Sequence, residues 1–235
     1  NIAVTSTYYD VAVGCTPSGR LVAFVLYNEN GTIGLDRWVA RYSDDEGATW
    51  ADYDPTPFGF LGGLPTSMQT RVTNTLIVQD LSKSMVATNS TGESIFLRKI
   101  DEGAGGPRVA QYASSAELSG WTAQTIWTTN PPEDIDLIAL SNGSFLCAYV
   151  TATGSAEVRI VNGAYSTFEG SIGTQLGADT DHLNVTCWQD DDGVIYVLTN
   201  CSGGASRRFS SYDFGASWLE YGVVDYPLQA GVPFA

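Results

Sequence analysis

The side chains best suited to chemistry are carboxylates that stand beside aromatic or basic residues in four separate stretches. These are Asp36 with Arg37, Tyr53 with Asp54, Trp127 ahead of Asp134 and Asp136, and Asp179 and Asp181 ahead of His182. A carboxylate accepts hydrogen bonds from sugar hydroxyls, and an aromatic ring covers the apolar face of a sugar. Asp36, Arg37, Tyr53, Asp54, Trp127, Asp136, Asp181 and His182 are therefore the candidate ligand-binding residues. The same oxygens would also suit a Ca²⁺ ion, although no cofactor is required. A single His and four scattered cysteines without a CxxC pair argue against a zinc site. The run Asp190, Asp191, Asp192 lacks the alternating spacing of a calcium loop and reads as a tight turn. Against all of this stands a plainer reading: in a chain with 26 acids, most loop carboxylates are solvated surface. His182, at a strand start, is by that reading a packed or capping residue. No catalytic residue is assigned.

Eleven basic residues against 26 acidic ones give a net charge of −15, which argues against nucleic acid and anionic membranes as partners. No run of about 18 apolar residues offers a membrane span. Cys15, Cys147 and Cys187 lie in apolar strand-like runs and are expected as buried thiols. A Cys187–Cys201 disulfide across a hairpin is the alternative.

The elements that must carry these residues are strands. Helical periodicity is absent almost throughout, and short alternating or apolar runs are bounded by Gly, Asn, Asp and Pro, as in an all-β chain. DVAVGCT and LVAFVLYN form a hairpin, followed by RWVARYS and a short fourth strand near Trp50. NTLIVQ and SMVATNS read as the next hairpin, around DLSK, with SIFLRKI and RVAQYAS after it. IDLIALSNGSFLCAYVT is two strands around an Asn-Gly turn, and AEVRIVNGAYSTF supplies outer strands. HLNVTCWQDDDGVIYVLTN opens a last unit that ends in RRFSSYDFGASW.

Two stretches share the pattern Ser-x-Asp-x-Gly-x-x-Trp: Ser43, Asp45, Gly47, Trp50 and Ser211, Asp213, Gly215, Trp218. Asp accepts backbone N–H bonds at a turn, Gly supplies positive φ, and Trp anchors the turn to a core, so the chemistry of these residues is structural. From Asp45 to Asp213 is 168 residues, which three intervals of 56 divide evenly (213 − 45 = 168). Four strands in a period of about 50 residues predict β-propeller blades, at approximately 7–54, 70–128, 135–175 and 182–224, with 225–235 as a closing strand. The expectation is a single propeller domain, or a fragment of a larger propeller.

The motif resembles the Asp-box, or BNR repeat, of the sialidase-like superfamily of β-propellers. That resemblance implies a turn between third and fourth strands, on the face away from an active site. Sialidases hold their substrate with three arginines, one usually in Arg-Ile-Pro, and use a Tyr/Glu nucleophile pair with an Asp acid/base; no Arg-Ile-Pro occurs here. Arg41, Arg207 and Arg208 are placed on third strands near the motifs, away from any pocket. The reading is a non-catalytic carbohydrate- or receptor-recognition or structural module, secreted, on a cell surface, or on a virion such as a phage tail or head appendage. Its partners would be glycans or a host receptor and other subunits of an assembly, with no membrane insertion. A sialidase-like glycoside hydrolase and an assembly surface between subunits are the alternatives.

Overall fold

The computed structural model describes residues 7–28, 36–52, 83–101, 107–114, 122–127, 132–168 and 173–224. All its elements there are strands, arranged as four antiparallel four-stranded sheets, each in sequential order. The first holds β1 Thr7–Cys15, β2 Leu21–Asn28, β3 Asp36–Ser43 and β4 Ala51–Asp52. The second holds β5 Lys83–Thr88, β6 Ser94–Asp101, β7 Pro107–Ser114 and β8 Thr122–Trp127. The third holds β9 Asp134–Ala139, β10 Phe145–Val150, β11 Ala156–Val161 and β12 Thr174–Gln175. The fourth holds β13 His182–Gln189, β14 Ile195–Cys201, β15 Ser206–Ser211 and β16 Leu219–Val224. The chain folds as two compact units, Asn1–Thr128 and Thr129–Ala235, each with two sheets.

One expected hairpin, NTLIVQ with SMVATNS, has its first strand outside the described residues. Among the described residues SMVAT forms β5, which pairs with β6 across the turn Asn89–Glu93. Asn89 holds this turn, its Oδ1 accepting from the backbone N–H of Thr91 and of Glu93. The stretches NTLIVQ and 225–235 lie outside the described residues.

In each unit the first strands lie side by side, β1 by β5 and β9 by β13. In the first unit Phe24 stacks on Phe96 with ring centroids 5.0 Å apart, and Phe96 lies 5.9 Å from Tyr112. In the second, period-2 alternation aims Leu146, Ala148, Val150 and Val158 at Val185, Cys187, Ile195, Val197 and Phe209. β10 is buried at all six positions, so both its faces are covered; β14 alternates, burying every second residue. All four cysteines are free. Cys147, Cys187 and Cys201 are buried, but Cys15 is exposed, as are Val11 and Val13 in the same row of β1.

The two motif turns are built alike. Ser43 Oγ donates to Asp45 Oδ1 (2.7 Å) and accepts from the Gly47 N–H (2.8 Å), and Asp45 accepts from the Thr49 N–H and hydroxyl. Trp50 Nε1 closes the turn on the Gly47 carbonyl (3.0 Å). Ser211, Asp213, Gly215, Ser217 and Trp218 repeat every one of these bonds. Both central turn residues have positive φ, 56° and 87° at Glu46 and Gly47, 54° and 88° at Phe214 and Gly215, as a type I′ hairpin turn requires. Glycine is at ease there; Glu46 and Phe214 are held by the side-chain bonds around them.

The bonds from Thr49, then from Ser43, hold the Asp45 carboxyl down at about 2, and those from Ser217 and Ser211 lower Asp213. As the pH falls from the usual 3.8 through about 2, the unfolded chain takes up protons that the folded turns refuse. Stability present above that window is therefore lost across it. In thermal melts, the double variant Asp45→Asn/Asp213→Asn is expected to show a lower Tm at neutral pH and a flatter decline in acid than the parent.

Candidate functional site

In an antiparallel meander the β1–β2 and β3–β4 connections emerge at one end of a sheet, and the β2–β3 connection and the crossing to the next sheet at the other. The motif turns occupy the first end. At the opposite end of the second unit, the segment 176–181 crosses from β12 to β13 and meets the loops 151–155 and 202–205. The His182 N–H donates to the Gly154 carbonyl (2.9 Å) and the Ser202 N–H to the Asp181 carbonyl (2.8 Å), so three chain segments are tied together.

Charged side chains converge on this junction. Arg207, at the start of β15, bridges Asp179 (2.6 Å) on the crossing segment and Glu220 (3.2 Å) on β16. Both carboxylates remain more than a third exposed, whereas the guanidinium side chain is 25% exposed. Asp181 accepts from the Ser202 hydroxyl (3.2 Å). Beneath them His182 is buried, edge-on to Phe209, with Nδ1 3.4 Å from Cys201 Sγ and Nε2 without a hydrogen-bond partner. Burial lowers the His182 pKa and raises that of Cys201 to about 11, so the pair is a neutral imidazole beside a neutral thiol. An imidazolium–thiolate pair would be needed for a nucleophilic cysteine.

A second group sits at the same end of the third sheet. Cross-strand partners Tyr149 and Glu157 are joined by a hydrogen bond from the phenol to Glu157 Oε2. Arg159 lies 5.2 Å over the Tyr149 ring and donates from Nη1 to the Phe168 carbonyl (2.7 Å). Gly173 covers the group so closely that a Cβ would collide with Glu157 Oε2 and the Tyr149 hydroxyl. Burial first, and then the bond to Glu157, raise the Tyr149 pKa.

Of the residues singled out from sequence, Asp181 and His182 belong to the junction. Asp136 is directed elsewhere: its Oδ2 accepts from the Cys187 N–H (2.7 Å) and the Thr186 hydroxyl (2.9 Å), capping the open edge of β13. Asp134 does the same for the Val185 N–H (2.9 Å). Asp36, Arg37 and Trp127 are on β3 and β8, and Tyr53 and Asp54 lie outside the described residues. The acidic turn is structural, Asp190 accepting from the Val194 N–H and the Tyr196 hydroxyl. Among the described residues no three His, Cys, Asp or Glu side chains gather as a metal site.

Arg207 is the main surprise. It precedes Ser211 by four residues, about 13 Å at 3.3 Å per strand residue, enough to carry it to the end away from the motif. Counting back along β15 would have shown this. Glu220, Tyr149 and Glu157 carried no comparable signal, since each acquires its partner only through strand pairing.

No protein-family model matches the chain, and no curated protein matches it in sequence. Among solved structures, an exo-β-1,3-galactanase from Clostridium thermocellum aligns at TM-score 0.53 and 11% identity, over 90% of this chain and 47% of its own. The exo-β-1,3-galactanase from Phanerochaete chrysosporium, with β-1,3-galactotriose, aligns at 0.53 and 11%, over 94% and 53%. A hypothetical protein from Leishmania major aligns at 0.52 and 8%, over 93% and 68%. The fold is a β-propeller. Each four-stranded sheet is a blade, and the chain spans about half the length of the two galactanases. At these identities the likeness speaks of the fold, so the junction of the third and fourth blades must be interpreted from its own chemistry.

Proposed function

We propose that this chain is a non-catalytic glycan-recognition propeller of the sialidase-like Asp-box type, displayed outside a cell or on a virus particle. Its ligand is seated on the blade ends that carry Asp179, Asp181, Arg207 and Glu220. The observation that supports this is the Asp179–Arg207–Glu220 bridge, partly exposed and held by three chain segments. A sugar hydroxyl both donates and accepts through one oxygen, and a carboxylate beside a guanidinium offers the matching acceptor and donor side by side.

Calorimetric titration with β-1,3-galactotriose, followed by a wider glycan array, tests this. Arg207→Ala is expected to weaken binding at least about tenfold, the loss of one charge-assisted hydrogen bond, with little change in Tm. Unchanged affinity in that variant would remove the site from this end of the fourth blade.

One observation favours a second reading as a glycoside hydrolase: the Tyr149–Glu157 pair under Arg159. Burial raises the Tyr149 pKa, so its hydroxyl is protonated at rest, and Glu157, which accepts its hydrogen bond, stands where a general base would. The non-catalytic reading expects no reducing sugar to be released from galactotriose or from a sialylated oligosaccharide. Release abolished by Tyr149→Phe would establish the hydrolase instead.

A further inference from the structure

The segment 176–181, which crosses from β12 to β13, is fixed to its surroundings along its length. The Leu176 N–H donates to the Ala156 carbonyl (2.8 Å). Gly177 lies against Glu220 and the Phe209 ring, where a Cβ would stand 3.2 Å and 3.3 Å from them. Asp179 meets Arg207, the Thr180 carbonyl lies hard against Gly154, and the Asp181 carbonyl accepts from the Ser202 N–H. His182 ends the crossing and begins β13, with its N–H on the Gly154 carbonyl and its side chain buried (3% exposed).

The imidazole is the part of this fastening that mild acid can change. His182 is the only histidine in the chain, and histidine is the side chain that ordinarily gains its charge between about pH 5 and 8. An imidazolium donates from both ring nitrogens. Nδ1 faces Cys201 Sγ (3.4 Å), a weak acceptor, and Nε2 is buried with no hydrogen-bond partner among the described residues. The charged groups around the ring are Asp179 and Asp181 on the crossing segment, Arg207 on β15 and Glu220 on β16. The loops 151–155 and 202–205 carry none, and Asp134 of β9 is bonded to the Val185 N–H further along β13. Asp181 is engaged by Ser202, and Asp179 and Glu220 by Arg207. Burial, the largest effect, opposes a charged ring, as does Arg207; the three carboxylates favour it without reversing the outcome.

We propose that the crossing segment is an acid-released latch: when His182 takes up a proton, the charged ring leaves its buried seat and the segment 176–181 lifts from the blade end with it. The coupling is covalent, because His182 follows Asp181 directly in the chain. In the open form the ring reaches water and regains its usual pKa of 6.5, above that of the closed form. Acid therefore favours opening from pH 6.5 downward, by up to about tenfold per pH unit, until the closed form also takes up the proton. Opening displaces Asp179 and Asp181 and breaks the bridge through Arg207. That a glycan is released with it rests on the glycan-recognition reading, whereas the opening itself does not.

Amide hydrogen exchange of the intact chain, followed from about pH 7.5 to about pH 5, tests this. After correction for the intrinsic pH dependence of exchange, protection of the His182 and Ser202 N–H groups is expected to fall by up to about tenfold per pH unit below 6.5. Protection in β10 should stay constant. The single imidazole Cε1–H resonance is expected to titrate below 6.5, and His182→Gln should abolish the pH dependence of exchange. His182→Phe replaces a Gln variant that does not fold, and the resonance and exchange of the parent are decisive without either. Protection at the junction that ignores pH, protection that still falls in the variant, a parallel loss in β10, or a resonance that titrates at or above 6.5 would each overturn the latch. Glycan affinity measured in the same buffers separates the two readings: acid opening with no glycan bound at any pH would support the latch and remove the glycan reading alone.

Discussion

Gly154→Ala is expected to be among the most damaging single substitutions in the second unit. Gly154 has a φ of +79°, and a Cβ there would run into the carbonyl of Thr180, a backbone atom that cannot swing aside. Left-handed strain of about 1–2 kcal/mol for a non-glycine residue adds to an overpacking cost of about 1–3 kcal/mol, giving roughly 3 kcal/mol in all. The displaced segment carries Asp179 and Asp181, so glycan binding should fall together with Tm. Gly143→Ala is the control: its φ is +88° and nothing lies within 4 Å of a Cβ, so strain alone remains. If the two variants melted alike, the close approach of the loop to Thr180 would carry no energetic weight.

Asp136→Ala should cost a similar amount for a different reason. One carboxylate oxygen satisfies the Cys187 N–H and the Thr186 hydroxyl, on the innermost strand of the neighbouring blade. Removing it leaves an edge strand with unmet donors beside the Cys187 core, a loss of about 3 kcal/mol. Denaturant unfolding is expected to show that loss while the folded variant retains glycan affinity. A stable Asp136→Ala protein that no longer binds would instead return Asp136 to the ligand site that its carboxylate, following Trp127 in sequence, first suggested.

The contrast between Asp45 and Asp136 shows where sequence reasoning succeeds and stops. Asp45 bonds to Ser43 and to Thr49, two and four residues away, so its role is written in local spacing. Asp136 meets Cys187 across 51 residues, and nothing local distinguishes it from a solvated loop acid. Arg207 is an intermediate case. Its strand was legible, but its end of the strand was assigned by proximity to the motif rather than by distance along β15. The exposed thiol of Cys15 was misread for a related reason: alternation marks a face as apolar without saying whether another blade covers it.

Local chemistry therefore determined the strands, the four-strand repeat and the two Ser-Asp-Gly-Trp turns, because a type I′ turn and a period of two need only neighbours in the chain. Tertiary structure alone decided which carboxylates gathered around Arg207, namely Asp179 and Glu220, which became an edge cap at Asp136, and which cysteines were buried, Cys147, Cys187 and Cys201 but not Cys15. Those outcomes depend on pairing across blades, where residues tens of positions apart compete for the same donor or the same surface.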